Sequence, residues 1–255
     1  MYVRYIDLSV ILNASTKYSD YKERARRIIN GGIGNRSNYL LKIPYHGSII
    51  MNQLYNRREK IYSEIYSILD PKKCINKTAA EFYSLFSRGS TGYHTDDEHL
   101  KNMYEKITED INIKYLDKLD TEQAQKLCYL IHKTIRYNKI QLSNYKEILK
   151  DEEVYFEDYK DKKENFLIKE FEKVIDNSKY KSDIIILSKS IVDGMKSNMD
   201  FEIVIANENF LLNDNLRKIN TGIKRVYKIY NKNIIVPINK IYGPKENKIS
   251  IFTEK

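Results

Sequence analysis

The segment Tyr5-Ile6-Asp7-Leu8-Ser9-Val10-Ile11-Leu12 constrains this chain more than any other. It is a near-continuous apolar run. Such runs suit a short strand buried on both faces of a parallel sheet, and residues 2–12 read as that strand. Asp7 stands in the middle of it. An unpartnered carboxylate in an apolar layer costs on the order of several kcal/mol, so Asp7 needs hydrogen-bond donors or a cation. The plain alternative is a strand-end aspartate that caps a neighbouring helix.

A second run of the same kind, Phe201-Glu202-Ile203-Val204-Ile205-Ala206, reads as a strand, and Ile234 to Ile238 as a late one that Pro237 confines to an edge. Cys74-Ile75 reads as a very short strand. Helical patterns fill the intervals. They cover Tyr18 to Asn30, Ile49 to Leu69 with Asp70-Pro71 as a stop, Thr78 to Phe86, nearly all of 96–180, and Asp183 to Val192, with a short helix from Asn213 to Ile219. Strands alternating with helices predict an α/β fold with a parallel sheet flanked by helices. The chain reads as a single domain over residues 1–255 with a helix-rich insertion at about 90–180.

Composition narrows the class. Apolar residues make up 42% and charged residues 31%, a globular balance. Two cysteines far apart form neither a disulfide framework nor a metal pair, which fits a reducing, cytoplasmic setting. No stretch of about 18 apolar residues occurs, so no membrane association is expected. The formal charge of +9 is consistent with a polyanionic partner and equally with scattered solubilising lysines.

In parallel α/β sheets, ligands sit beyond the carboxyl ends of the strands. Asp7 lies in the first strand, Glu208 just past the later one, and Glu81 and Asp183 in the first turns of helices. Four carboxylates converging there would repel one another unless a cation neutralised them. Hard divalent cations take such oxygen ligands, so Mg²⁺ or Mn²⁺ is the expected cofactor, and metal-assisted phosphodiester hydrolysis the matching chemistry. Two of these carboxylates also have an ordinary reading: Glu81 complements a helix dipole and Asp183 is an N-cap. Asp193 and Asp214 are reserves. Ser9 and Asn207 would line the pocket as hydrogen-bonding groups. Arg24, Arg26 and Arg27, beside a Gly-rich loop from Gly31 to Gly34, would contact a substrate backbone, although the loop lacks the P-loop pattern. Tyr18, Tyr21, Tyr39 and Tyr45 are candidates for stacking unpaired bases.

Four segments taken in order resemble the PIN-domain nucleases, the fold of VapC-type toxins. They are Tyr5–Leu12 with its aspartate, Lys77-Thr78-Ala79-Ala80-Glu81-Phe82, Ser182-Asp183-Ile184-Ile185-Ile186-Leu187-Ser188, and Ile203-Val204-Ile205-Ala206-Asn207-Glu208-Asn209-Phe210. The resemblance implies a three-layer PIN-like fold. It also implies a metal-dependent endoribonuclease acting through Asp7, Glu81, Asp183 and Glu208, with RNA as the favoured nucleic acid, an antitoxin or other protein partner, and homodimerisation. The fourth motif departs from the family's Thr-x-Asp: it reads Ala206-Asn207-Glu208, losing the hydroxyl and lengthening the acid. That departure keeps a catalytically impaired RNA- or protein-binding module in view, beside a DNA-directed nuclease.

Overall fold

The first strand ends where the carboxylate begins. In the computed structural model, β1 spans Val3–Ile6 and helix α1 spans Leu8–Ser15, with Asp7 between them. The expected strand over residues 2–12 is therefore half strand and half helix. A short apolar run does not distinguish the two, and the tie is broken locally, because Asp7 accepts hydrogen bonds from the first backbone N–H groups of α1. The structure describes residues 2–34, 37–74, 81, 94–113, 118–156, 162–173, 175, 177–197, 199–206, 213–230, 237–240 and 247–250.

The remaining strands are β2 (Leu40–Pro44), β3 (Tyr155–Phe156), β4 (Phe201–Ile205), β5 (Pro237–Lys240) and β6 (Asn247–Ser250). The helices are α2 (Lys22–Asn30), α3 (Tyr45–Ile68), α4 (Pro71–Cys74), α5 (His94–Asp110), α6 (Thr121–Asp151), α7 (Lys162–Glu172), α8 (Asn177–Lys196) and α9 (Asn213–Tyr230). The sheet order is β3-β2-β1-β4-β5-β6. All neighbours run parallel except β5 and β6. The α/β class with a parallel sheet flanked by helices is thus what the chain forms.

Several local expectations change. Strand β2 occupies a stretch for which the sequence pattern predicts no strand, with Pro44 as its last residue. Strand β5 is not an edge: it lies between β4 and β6, and Pro237 is its first residue, where a missing N–H costs least. Cys74 closes the short helix α4 and is not in a strand, and Ile75 lies outside the described residues. The helix expected to end at Val192 runs on through Gly194 to Lys196. The Phe201 ring packs against Gly194, 2.6 Å from where a Cβ would stand, so the position has no room for a side chain.

By contacts the chain divides into two units. The first comprises residues 1–14, 20–52 and 144–255, and the second residues 15–19 and 53–143. The helix-rich stretch expected at about 90–180 is therefore shared, with its part up to Ser143 in the second unit and the rest in the first.

In the first unit, side chains alternate across the sheet. Val3, Tyr5, Ile203 and Ile205 face a core built by Leu167 and Phe171 of α7, Ile184, Leu187 and Ile191 of α8, and Ile219 and Ile223 of α9. The opposite face carries Arg4, Leu41 and Ile43. Tyr39 donates its hydroxyl to the Ile28 carbonyl, and Gly32 sits against Leu41. In the second unit, α3, α5 and α6 pack around Ile61, Ile65, Met103, Ile107, Leu127 and Ile131.

Candidate functional site

The strand order singles out one place for a ligand. From β1 the chain builds outward through β2 and β3 on one side, then through β4, β5 and β6 on the other. The order reverses between β1 and β4, and the crevice beyond the carboxyl ends of such a pair is where open α/β sheets bind ligands. Asp7 closes β1 there and Ala206 closes β4.

The two ends are stitched together. The Asp7 backbone N–H donates to the Val204 carbonyl at 3.0 Å. Ser9 Oγ donates to Asp7 Oδ2 at 2.5 Å and accepts from the Ala206 N–H at 3.0 Å. Ser9 thus links the carboxylate after β1 to the end of β4. The Asp7 carboxylate also accepts from the Leu8 N–H at 2.7 Å and the Ser9 N–H at 3.3 Å. Asp7 is buried, and burial pushes its carboxyl above the ordinary value of 3.8, although the hydrogen bonds from Ser9 and Leu8 work the other way.

The donors to Asp7 are all neutral, and this sets it apart. The described residues bury four carboxylates: Asp7, Glu164, Glu170 and Glu202. Glu202 pairs with Arg4, Glu164 with Lys189 at 2.7 Å, and Glu170 with both Lys173 and Arg225. Among the described residues, no cation pairs with Asp7.

The other expected residues are placed as follows. Asp183 is half-buried in α8, three residues after Tyr180, whose φ of −120° and ψ of 19° interrupt the helix. It therefore stands in the first turn of the segment that runs to Lys196, as its sequence context predicts. Glu81 is exposed and belongs to the second unit. Asn207 and Glu208 lie outside the described residues. Among the described residues, no group of three or more His, Cys, Asp or Glu side chains is arranged to hold a metal ion.

Arg24, Arg26 and Arg27 all lie on α2. Arg26 is engaged within the fold, donating from Nε to the Ala14 carbonyl at 3.2 Å, with Glu23 at 3.8 Å. Arg24 is half-buried and Arg27 is exposed. The tyrosines separate by burial. Tyr39 is buried, Tyr18 donates to Asp110 Oδ2 at 3.2 Å, and Tyr45 stands 51% exposed directly after β2, the strand beside β1. Gly47, in the first turn of α3, packs on Ile43 and Leu8, which ties that turn to the residue after Asp7. The reserve residue Asp193 is part of the frame, since its Oδ2 accepts from Tyr5 Oη at 2.5 Å and from Lys42 Nζ at 3.0 Å. Sequence reading missed that network because its members are distant in the chain.

No protein-family model, no curated protein and no solved structure matches the chain.

Proposed function

We propose that this chain is a PIN-like, metal-dependent nuclease that hydrolyses RNA phosphodiester bonds at the β1/β4 crevice, with Asp7 as the central carboxylate. One observation carries the reading. Asp7 is the buried carboxylate without a cation of its own among the described residues, and it sits where the sheet topology favours a ligand.

A hard divalent cation fits an oxygen donor of this kind, and burial gives the site its reason to bind one, since an ionised Asp7 is stabilised by positive charge. Asp7 would hold the ion, with Asp183 and Glu208 as further oxygen ligands. Bound Mg²⁺ or Mn²⁺ would supply a hydroxide-like water at neutral pH and offset charge on the phosphate. The chain's own residues orient and position. Ser9 fixes the rotamer of Asp7 through one hydrogen bond and anchors the end of β4 through another. The N-terminus of α1 adds its partial positive charge behind the carboxylate. Tyr45 offers an exposed ring at the neighbouring strand end, of a kind that stacks on an unpaired base.

A second reading has its own support. The two N–H groups and the hydroxyl already make Asp7 a complete helix cap, which is all that a non-catalytic RNA- or protein-binding module requires.

The deciding experiment is cleavage of labelled single-stranded RNA and DNA by the wild type and by Asp7→Asn, with Mn²⁺, with Mg²⁺ and with EDTA. Metal-dependent cleavage of RNA, falling about a hundredfold or more in Asp7→Asn, is the expected outcome; that loss corresponds to roughly 2.7 kcal/mol of transition-state stabilisation. Cleavage confined to DNA would change the substrate and keep the site. A folded wild type that cuts neither, or equal cutting by both proteins, would remove Asp7 from the chemistry and leave the binding module.

A further inference from the structure

Helix α6 presents its core and its outer surface on opposite sides. Ala124, Leu127, Cys128, Ile131 and Ile135 are buried in the second unit's core. On the other side, at helical spacing, stand Lys126, Tyr129, Lys133, Arg136 and Ile140, all exposed. Tyr129 is 62% exposed, the most exposed of the large hydrophobic side chains among the described residues. The Lys133 ammonium lies 5.9 Å from the centre of its ring.

Three features make this more than a solvated face. None of the three cations forms an ion pair with a described residue, although Lys133 lies near the Tyr18 hydroxyl that bonds Asp110, whereas Lys139, on the neighbouring flank of the same helix, is taken up by Glu59 at 2.6 Å. The cations lie along one line about 15 Å long at 1.5 Å per residue, which matches a linear polyanion better than a point ligand. Finally, the ring among them is open to solvent on a rigid helix, and a flat aromatic beside cations is how sequence-tolerant proteins hold unpaired bases and their backbone. A helix docking into a protein groove needs apolar anchors repeating turn by turn. Here the apolar side chains are only Tyr129 and Ile140, with the cations between and beside them.

We propose that the outer face of α6 between Lys126 and Ile140 binds single-stranded nucleic acid, the cations contacting phosphates and Tyr129 stacking on a base. The site lies wholly in the second unit. It does not depend on the reading of Asp7, since it would hold a strand whether or not the crevice cuts one.

The experiment is fluorescence anisotropy in EDTA, where no metal-dependent cleavage occurs, with the full chain and a labelled oligouridylate of about 15 nucleotides, a length within the range of single-strand site sizes. Salt is titrated for each protein. Replacing all three cations, as Lys126→Gln, Lys133→Gln and Arg136→Gln together, is expected to lower the slope of log affinity against log salt by about 2, at roughly 0.7 per phosphate contact on a single strand. Tyr129→Ala is expected to weaken binding by roughly 5- to 100-fold, and Tyr129→Phe to keep it within about twofold, because the ring and not the hydroxyl stacks. The control removes the same charge elsewhere, with Gln at exposed Lys162, Lys169 and Lys181 of α7 and α8, and is expected to leave the slope nearly intact. All these positions are exposed, so the variants fold as the wild type does, which circular dichroism checks. An equal loss in the control, indifference to Tyr129→Ala, tighter binding of a duplex than of the single strand, or no binding by the wild type would each overturn the proposal. Binding that survives in Asp7→Asn while cleavage is lost separates this site from the crevice.

Discussion

The carboxyl edge of the sheet and its helix-covered face treat buried negative charge in opposite ways. Beneath the helices, the chain brings its own cations. Lys189 of α8 reaches Glu164 of α7, Lys42 of β2 reaches Asp193 of α8, and Lys173 and Arg225 converge on Glu170. The hydrogen bonds from Lys173 and Arg225 hold the Glu170 carboxyl below its ordinary value. At the edge, Asp7 has a hydroxyl and two N–H groups, and burial leaves its carboxyl above the ordinary value. An internally neutralised acid is a structural fixture. Asp7 is held in shape by neutral donors with no cation among the described residues, and under the proposed function that is the state of a group that meets a cation from outside.

The largest expected effect breaks the first half of that contrast. Lys189→Met leaves Glu164 buried opposite an apolar side chain. Since both partners are about nine-tenths buried, the loss is expected near the 3–5 kcal/mol of a broken buried pair. Adding Glu164→Met should recover most of it, because removing both charges also removes their desolvation. Urea unfolding of the three proteins reads this directly. A single-variant cost under about 1 kcal/mol would mean that the pair behaves as a surface pair, and that the helix-covered face is no more self-neutralised than the edge.

A smaller effect is expected at the edge itself. Ser9→Ala removes the hydroxyl that donates to Asp7 and accepts from Ala206. The Ala206 N–H then loses its acceptor and Asp7 one of its three donors, at a cost of about 1–2 kcal/mol. Because the lost bond favoured the charged form, the Asp7 carboxyl moves further up. Urea unfolding across acid pH gives both readings. An unchanged acid profile would show that the hydroxyl holds β4 in place without tuning the carboxylate.

How much of this was legible in the sequence follows from the range of each interaction. The α/β class was legible, because Ile203 to Ile205 and the run around Ile6 carry strand patterning that needs no partner to be seen. That Asp7 needs hydrogen-bond donors was legible for the same reason, as a charge set in an apolar run. Where the strand stops was not, since Leu8 to Leu12 is equally apolar as a helix and only the three-dimensional cap decides. Strand β2 was missed because its short apolar stretch is crowded by the glycines before it and Pro44 at its end. The pairing of Asp193 with Lys42 and Tyr5 was out of reach entirely: three distant segments meet only once the sheet has formed. That is also why Asp193 read as a reserve ligand and proves to be part of the frame.

The smallest expected effect is also the one that bears most directly on the contrast. Asp7→Asn keeps the shape of the cap and removes the charge, so at a single pH its stability should lie within about 1 kcal/mol of the wild type: a charge-assisted cap is lost and a desolvation penalty is relieved. The pH dependence of the difference carries the information. The folded carboxyl lies above 3.8 while the unfolded one titrates near its ordinary value. Between the two, the folded protein holds a proton that the unfolded chain has released, so the Asp7 contribution to stability falls as pH rises through that window and is level above it. Asp7→Asn carries no such proton, and it should therefore gain on the wild type as pH rises from below 3.8. Mn²⁺ should close the gap from the other side, stabilising the ionised wild type and not the variant. A wild type that instead gains on Asp7→Asn with rising pH, and ignores Mn²⁺, would show that the α1 N-terminus and Ser9 satisfy the charge by themselves. The edge would then be as self-sufficient as the face beneath the helices.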